Sequence, residues 1–199
     1  MFDPHDLLKI NVNEVLKTNS NLPHWANCSL QKSPYVVVRR GAYDRLSIPV
    51  GVRGKSRNER YAMFVSVDQV VDVFTPYQLR TLSSTRLQLT KAQDTFETIK
   101  QLWKSENWGP TGSVGFELAT GTKVMREQSD FDILIQSEFF SVPVAKEYVK
   151  QLQAAPMTVD PLIQTKSGWF SLKEYALGKG VLFKTMTGLE LRTDPWSNS

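Results

Sequence analysis

Apolar residues recur along this chain with two different periods. Near the start, Leu7, Leu8, Val12, Val15 and Leu16 fall on one broad helical face, so a helix is predicted over about 3–17. The segments PYVVVRR (34–40) and IPVGVRG (48–54) are rich in β-branched residues and bracket the turn-like GAYD, which predicts two strands. RYAMFVSVDQV (60–70) reads as a third strand leading into a helix, and Thr75-Pro76 has the form of a cap followed by a first-turn proline. The period then changes. Over 89–103 the apolar residues Phe96, Ile99, Leu102 and Trp103 follow a helical spacing. A domain boundary is therefore expected near 80–90, giving a β-rich domain over 1–85 and a second domain over 86–199.

The second half alternates in type. ENWGPTGS (106–113) is turn-rich, and GSVGFELATGTKVMREQ continues it as a small-residue turn and a polar loop. SDFDILIQ (129–136) is a strand, and VPVAKEYVKQLQAA (142–155) is a helix ended by Pro156. MTVDPLIQT (157–165) is a strand broken or bent at Pro161. SLKEYAL (171–177) starts a short helix with a serine cap and a glutamate three residues on. GVLFKTMTGLEL (180–191) forms a hairpin around Thr187-Gly188. The layout is α+β: a small β-rich N-terminal domain, then a mixed sheet packed with helices.

Composition adds limits to this pattern. With 199 residues, 41% hydrophobic and 22% charged, the chain has the profile of an ordinary soluble globular protein. A single cysteine, Cys28, excludes an internal disulfide framework; with no adjacent histidine it reads as a small buried hydrophobe. The opening residues lack a signal-peptide pattern and no apolar run has the length of a membrane span, so a cytoplasmic protein without a membrane partner is expected. His5 and His24 lie far from any other ligand-type cluster, which argues against zinc. The net charge of +4 is uneven: residues 39–60 hold seven basic side chains against two acidic ones. Such a focus suits an anionic partner met at one place, although a solvated loop between strands would look the same.

The candidate chemistry lies between Gly112 and Ile135. On a strand, Asp130 and Asp132 project from one face about 6.5–7 Å apart, while Phe131 and Ile133 pack on the other. Two carboxylates so placed repel each other and favour a divalent cation; all-oxygen donors select Mg²⁺ or Mn²⁺, which keep much of their water and are completed by substrate phosphates. Gly112-Ser113 supplies the complementary half, because glycine lets backbone N–H groups approach a phosphate and the serine hydroxyl donates to it. Asp160 is a candidate third carboxylate on a neighbouring strand. A phosphate-binding P-loop is missing, since GPTGSVGFELATG lacks its Gly-Lys-Ser/Thr ending.

Gly112-Ser113 followed by Asp130-Phe131-Asp132 resembles the signature of the nucleotidyltransferase superfamily. A closer resemblance spans nearly the whole chain: PHDLL, VVVRRG, IPVGVRG with Arg57 and Arg60, WGPTGSVGFELATG, SDFDILI and a terminal DPW are similar to the malonate decarboxylase holo-acyl carrier protein synthases, also called phosphoribosyl-dephospho-CoA transferases. Members often carry leucine where this chain has Phe131. The resemblance implies a nucleotidyltransferase-like catalytic domain. It also implies transfer of a phosphoribosyl-dephospho-CoA group from its triphosphate donor to a serine of the acyl carrier subunit, with pyrophosphate leaving. Asp130 and Asp132 would be the catalytic and metal-binding pair, Gly112 and Ser113 the phosphate site, and Asp160 the third metal ligand by analogy with the superfamily. The donor is polyanionic and carriers of this kind are usually acidic, so Arg53, Arg57 and Arg60 are expected to meet one of the two. The alternatives are a nucleotidyltransferase acting on RNA or a small molecule, and a non-enzymatic nucleic-acid-binding module. The second is disfavoured because the basic segment has few aromatic residues for stacking, and nucleic acid is not an expected partner.

Overall fold

A computed structural model describes residues 2–41, 46–56 and 58–197. The chain divides into two compact units, Met1–Thr75 and Pro76–Ser199.

The first unit is built on a five-stranded antiparallel sheet of β1 (Leu7–Ile10), β2 (Tyr35–Val38), β3 (Ser47–Arg53), β4 (Arg60–Ser66) and β5 (Val70–Phe74), in the order β4-β3-β2-β1-β5. Helices α1 (Val12–Thr18) and α2 (His24–Lys32) contribute Val15, Ala26 and Leu30 to a core with Leu8, Val36, Val38, Ile48, Val50, Val52, Met63 and Val65. The alternating burial of β2 and β4 is that of strands with one face on a core. Two expectations change here. Leu7–Ile10 is a strand rather than the start of a helix, because pairing with both β2 and β5 outweighs a helical spacing that four residues cannot establish. After β4 the chain makes only a 3₁₀ turn over Val67–Gln69 before a fifth strand. Cys28 is exposed on α2, one turn from His24, with its sulfur 3.7 Å from His24 Nε2. It is therefore neither buried nor distant from a histidine.

The second unit holds a six-stranded mixed sheet in the order β11-β10-β9-β8-β7-β6, made of β6 (Trp108–Pro110), β7 (Phe131–Gln136), β8 (Val159–Gln164), β9 (Trp169–Ser171), β10 (Val181–Lys184) and β11 (Leu189–Arg192). Its helices are α3 (Pro76–Leu79), α4 (Thr90–Leu102), α5 (Gly112–Thr120), α6 (Val142–Leu152) and α7 (Leu172–Ala176). Strands β7 and β8 are parallel, which requires the crossover that α6 provides; the other neighbours are antiparallel. Trp108, Phe131, Ile133, Ile135, Phe170 and Phe183 fill the core, and Phe96 of α4 sets its ring against Trp108 and Phe131. β8 runs unbroken through Pro161. Phe131 N–H donates to Thr158 O, so alternate residues of β8 face β7 and Pro161 turns its missing N–H to the other side. There β9 pairs only with Leu162–Gln164, and no ladder bond is lost.

Candidate active site

The site is assembled where β6 ends and α5 begins, beside the mouth of β7. Strand β6 lies antiparallel to β7, pairing Pro110 with Ile133, and the Thr111 N–H donates to Asp132 O at 3.0 Å. The chain then turns sharply at Gly112, with φ +56, and enters α5. Only glycine fits here. A side chain would be strained at this φ, and its Cβ would collide with the Asp132 carboxylate. The Gly-Ser pair and the second aspartate, twenty residues apart in sequence, are thus in direct contact.

α5 corrects the turn and polar loop expected over this stretch. Residues Ser113 to Ala119 are all buried, so the segment shows no polar stripe from which a helical period could be read. Gly115 permits the burial: a Cβ there would stand 2.8 Å from Pro110 O. The first closed turn is Gly115 N–H to Thr111 O at 2.8 Å, which leaves the N–H groups of Gly112, Ser113 and Val114 without intrahelical acceptors. Thr111, the capping residue, places no side-chain oxygen on them. Ser113 is 6% exposed and its hydroxyl makes no hydrogen bond among the described residues. Uncapped amides, an uncommitted hydroxyl and the positive end of a helix form the donor set that an anion such as phosphate takes.

The carboxylates are arranged less symmetrically. Asp130 is exposed and precedes the strand, whereas Asp132 is half-buried against Gly112. Asp160 is the register partner of Asp132 across the parallel pair β7–β8, and its carboxylate lies 3.5 Å from Lys173 Nζ. Among the described residues, no three carboxylate, histidine or cysteine side chains gather closely enough to hold a metal between them. The Asp130–Asp132 pair still suits a hard cation such as Mg²⁺, which takes one or two carboxylates and completes its shell with water and phosphate.

Of the arginines, Arg57 and Arg45 lie outside the described residues. Arg53 and Arg60 close the β3–β4 hairpin as direct register partners, and Arg60 donates to Glu59 O at 3.1 Å. Like charges directly opposite in a ladder are unfavourable by themselves. Arg39, exposed, lays its side chain over Gly51 of β3.

One further residue was not legible as functional from sequence. Glu117 of α5 is 0% exposed and accepts three backbone N–H groups, from Gln88 at 2.6 Å, Val124 at 2.9 Å and Met125 at 3.0 Å. Only the position of a glutamate within an otherwise apolar run could have drawn attention to it.

Comparison with known proteins follows the same division of the chain. Residues 3–76 match the family model for the phosphoribosyl-dephospho-CoA transferase MdcG N-terminal domain, and residues 78–195 match that for its C-terminal domain. Curated proteins named phosphoribosyl-dephospho-CoA transferase are similar over nearly the whole length. That of Pseudomonas syringae pv. tomato is 35% identical over 97% of this chain and 92% of its own. That of Klebsiella pneumoniae is 32% identical over 97% and 95%, and that of Pseudomonas fluorescens 34% identical over 89% and 87%. No solved structure matches.

Proposed function

Because this chain belongs to the phosphoribosyl-dephospho-CoA transferase family, we propose that it transfers the phosphoribosyl-dephospho-CoA group of triphosphoribosyl-dephospho-CoA to a serine of the malonate decarboxylase acyl carrier subunit. The serine oxygen attacks the phosphorus nearest the ribosyl group. A new P–O bond forms as the bond to the β-phosphate breaks, pyrophosphate leaves, and the hydroxyl proton passes to solvent. The reading is supported chiefly by one observation: the uncapped start of α5 abuts the Asp132 carboxylate at Gly112.

In this reaction the amides of Gly112, Ser113 and Val114 and the Ser113 hydroxyl donate to the oxygens of the departing phosphates, where charge accumulates as the bond breaks. Asp130 and Asp132 would hold Mg²⁺ or Mn²⁺; when bound, the cation supplies Lewis-acid stabilisation of that charge. With no three carboxylate, histidine or cysteine side chains among the described residues close enough to share a metal, Asp160 would act on the Asp132 side of the sheet through Lys173 rather than as the third ligand expected from sequence. Arg53, Arg57 and Arg60 would recruit the polyanionic donor or an acidic carrier, guanidinium being suited to phosphate by its forked donors. A transfer of this kind, with pyrophosphate leaving, would be that of a nucleotidyltransferase.

The test is the intact mass of the acyl carrier after incubation with this protein, the donor and Mg²⁺. The expected result is one phosphoribosyl-dephospho-CoA group on one serine, with pyrophosphate released in equal amount. A carrier left unmodified, with RNA or a small molecule modified from ATP or CTP instead, would replace this reading with that of a general nucleotidyltransferase.

A further inference from the structure

The N-terminal turn of α5 can serve the site only if the helix stands at a fixed height against β7, and the far end of the helix carries the groups that could set it. Glu117 is wholly buried, and both of its oxygens are occupied. Oε1 accepts Gln88 N–H at 2.6 Å, and Oε2 accepts Val124 N–H at 2.9 Å and Met125 N–H at 3.0 Å. One carboxylate therefore joins three segments: the approach to α4, helix α5, and the stretch that leads through Met125 to Asp130. Arg86 holds the same end from outside. Its Nε donates to Leu118 O and its Nη2 to Ala119 O at 3.1 Å, both carbonyls in the last turn, where a helix has no acceptor partners of its own and its negative end favours a cation.

Burying a carboxylate in a core is costly unless its lone pairs are filled, so packing alone does not account for glutamate here. Filling the volume would need only a leucine. The opposite end of the helix has no slack, since Gly112 touches the Asp132 carboxylate and Thr111 N–H is bonded to Asp132 O at 3.0 Å. A nine-residue helix moves as a rigid rod, so displacement at Glu117 is displacement at Ser113.

We propose that Glu117 and Arg86 form a clamp that sets the position of the Gly112–Val114 turn relative to Asp132, making both of them positioning residues for the transfer. The inference rests on the start of α5 being the reactive site. Glutamine at 117 has a single acceptor oxygen, so at least one of the three N–H groups would face its NH₂ group instead.

The experiment measures kcat, KM and Tm for Glu117→Gln, Arg86→Gln and Ser113→Ala, and for the double variants with Ser113→Ala, beside Asp132→Asn. Misplacement on the scale of an ångström predicts a kcat about 100-fold lower for Glu117→Gln at temperatures well below its Tm, with KM for the carrier unchanged. The combined loss with Ser113→Ala should be smaller than the product of the single losses, because both act through the same turn. A merely structural role would lower Tm, leave kcat of the folded protein unchanged and give multiplicative losses; that result overturns the clamp. Should Glu117→Gln fail to fold, Arg86→Gln carries the same expectation and the same refutation. If Asp132→Asn transfers at the wild-type rate, the site itself is wrong. If it is inactive while both clamp variants keep wild-type kcat, only the clamp is wrong.

Discussion

The two units of this chain distribute charge over their sheets in different ways. In the first, arginines stand at strand ends and around one hairpin, with Arg53 opposite Arg60 at the close of β3–β4, where α2 packs through Trp25 beside Gly54 and through the Ser29 hydroxyl donating to Arg53 O at 2.6 Å. In the second, an uncapped helix start meets an aspartate at the mouth of a parallel strand pair, and the neighbouring positions are fixed by backbone bonds to within about 3 Å. On the proposed reading, the first arrangement attracts an anion and the second holds one in a defined place. Recruitment and chemistry should therefore respond differently to mutation, to salt and to pH.

The largest effect is expected at the aspartates. Asp130→Asn should leave Tm unchanged or slightly higher in metal-free buffer, since a like-charge repulsion is removed; Asp132→Asn is compared with it by activity. Carrier labelling should fall by several orders of magnitude, because charge stabilisation by a bound cation is worth several kcal/mol. Near-normal transfer with ordinary Mg²⁺ dependence would remove the distinction between the units. Ser113→Ala comes next. If its hydroxyl serves the leaving phosphates, kcat should fall about ten- to a thousand-fold, less than for either aspartate. A turn serine without a role would cost nothing in turnover.

The arginines should behave as recruiters. Glutamine at Arg53, Arg57 or Arg60 should raise KM for the donor or the carrier about three- to tenfold, as expected of partly screened surface charges worth about 1 kcal/mol each. The rise should shrink as salt is added, with kcat unchanged. Constants equal to wild type at every salt concentration would make the hairpin a solvated loop.

The first unit also offers a smaller, purely structural test. Burial pushes the carboxyl of Asp6 up to about 6 from 3.8, with the Asp3 N–H bond at 2.9 Å acting against the rise. A raised folded-state value means that this group's contribution to stability is fully present below 3.8 and is lost as pH rises through about 6. Asp6→Asn keeps an acceptor for Asp3 without the charge. It should gain about 2 kcal/mol over wild type at pH 7.5 and nothing at pH 3.5, read from urea midpoints at the two pH values. An equal gain at both would assign the effect to packing.

What could be read from the chain follows the same contrast. Strands β2 and β4 were legible because each buries one face, β3 because of its β-branched residues although Ile48, Pro49 and Val50 are all buried, and α4 and α6 because each presents a polar stripe. β1 and β5, of four and five residues, are too short to display a period, and their partners are distant in sequence. The chemistry of Gly112, Ser113, Asp130 and Asp132 was visible as residue types in order. The helix that carries the first two was not, because burial on all sides erases the alternation that marks a helix. Glu117 escaped for the same reason: its meaning lies in three backbone donors from segments that the sequence does not bring together.

The most direct measurement is of the backbone amides at the start of α5. In an amide-resolved NMR titration with pyrophosphate and Mg²⁺, the resonances of Gly112, Ser113 and Val114 should shift and their exchange with solvent should slow, and Asp132→Asn should abolish both changes. If pyrophosphate binds while those three amides neither shift nor gain protection, phosphate is held elsewhere and the start of α5 is not the site of transfer.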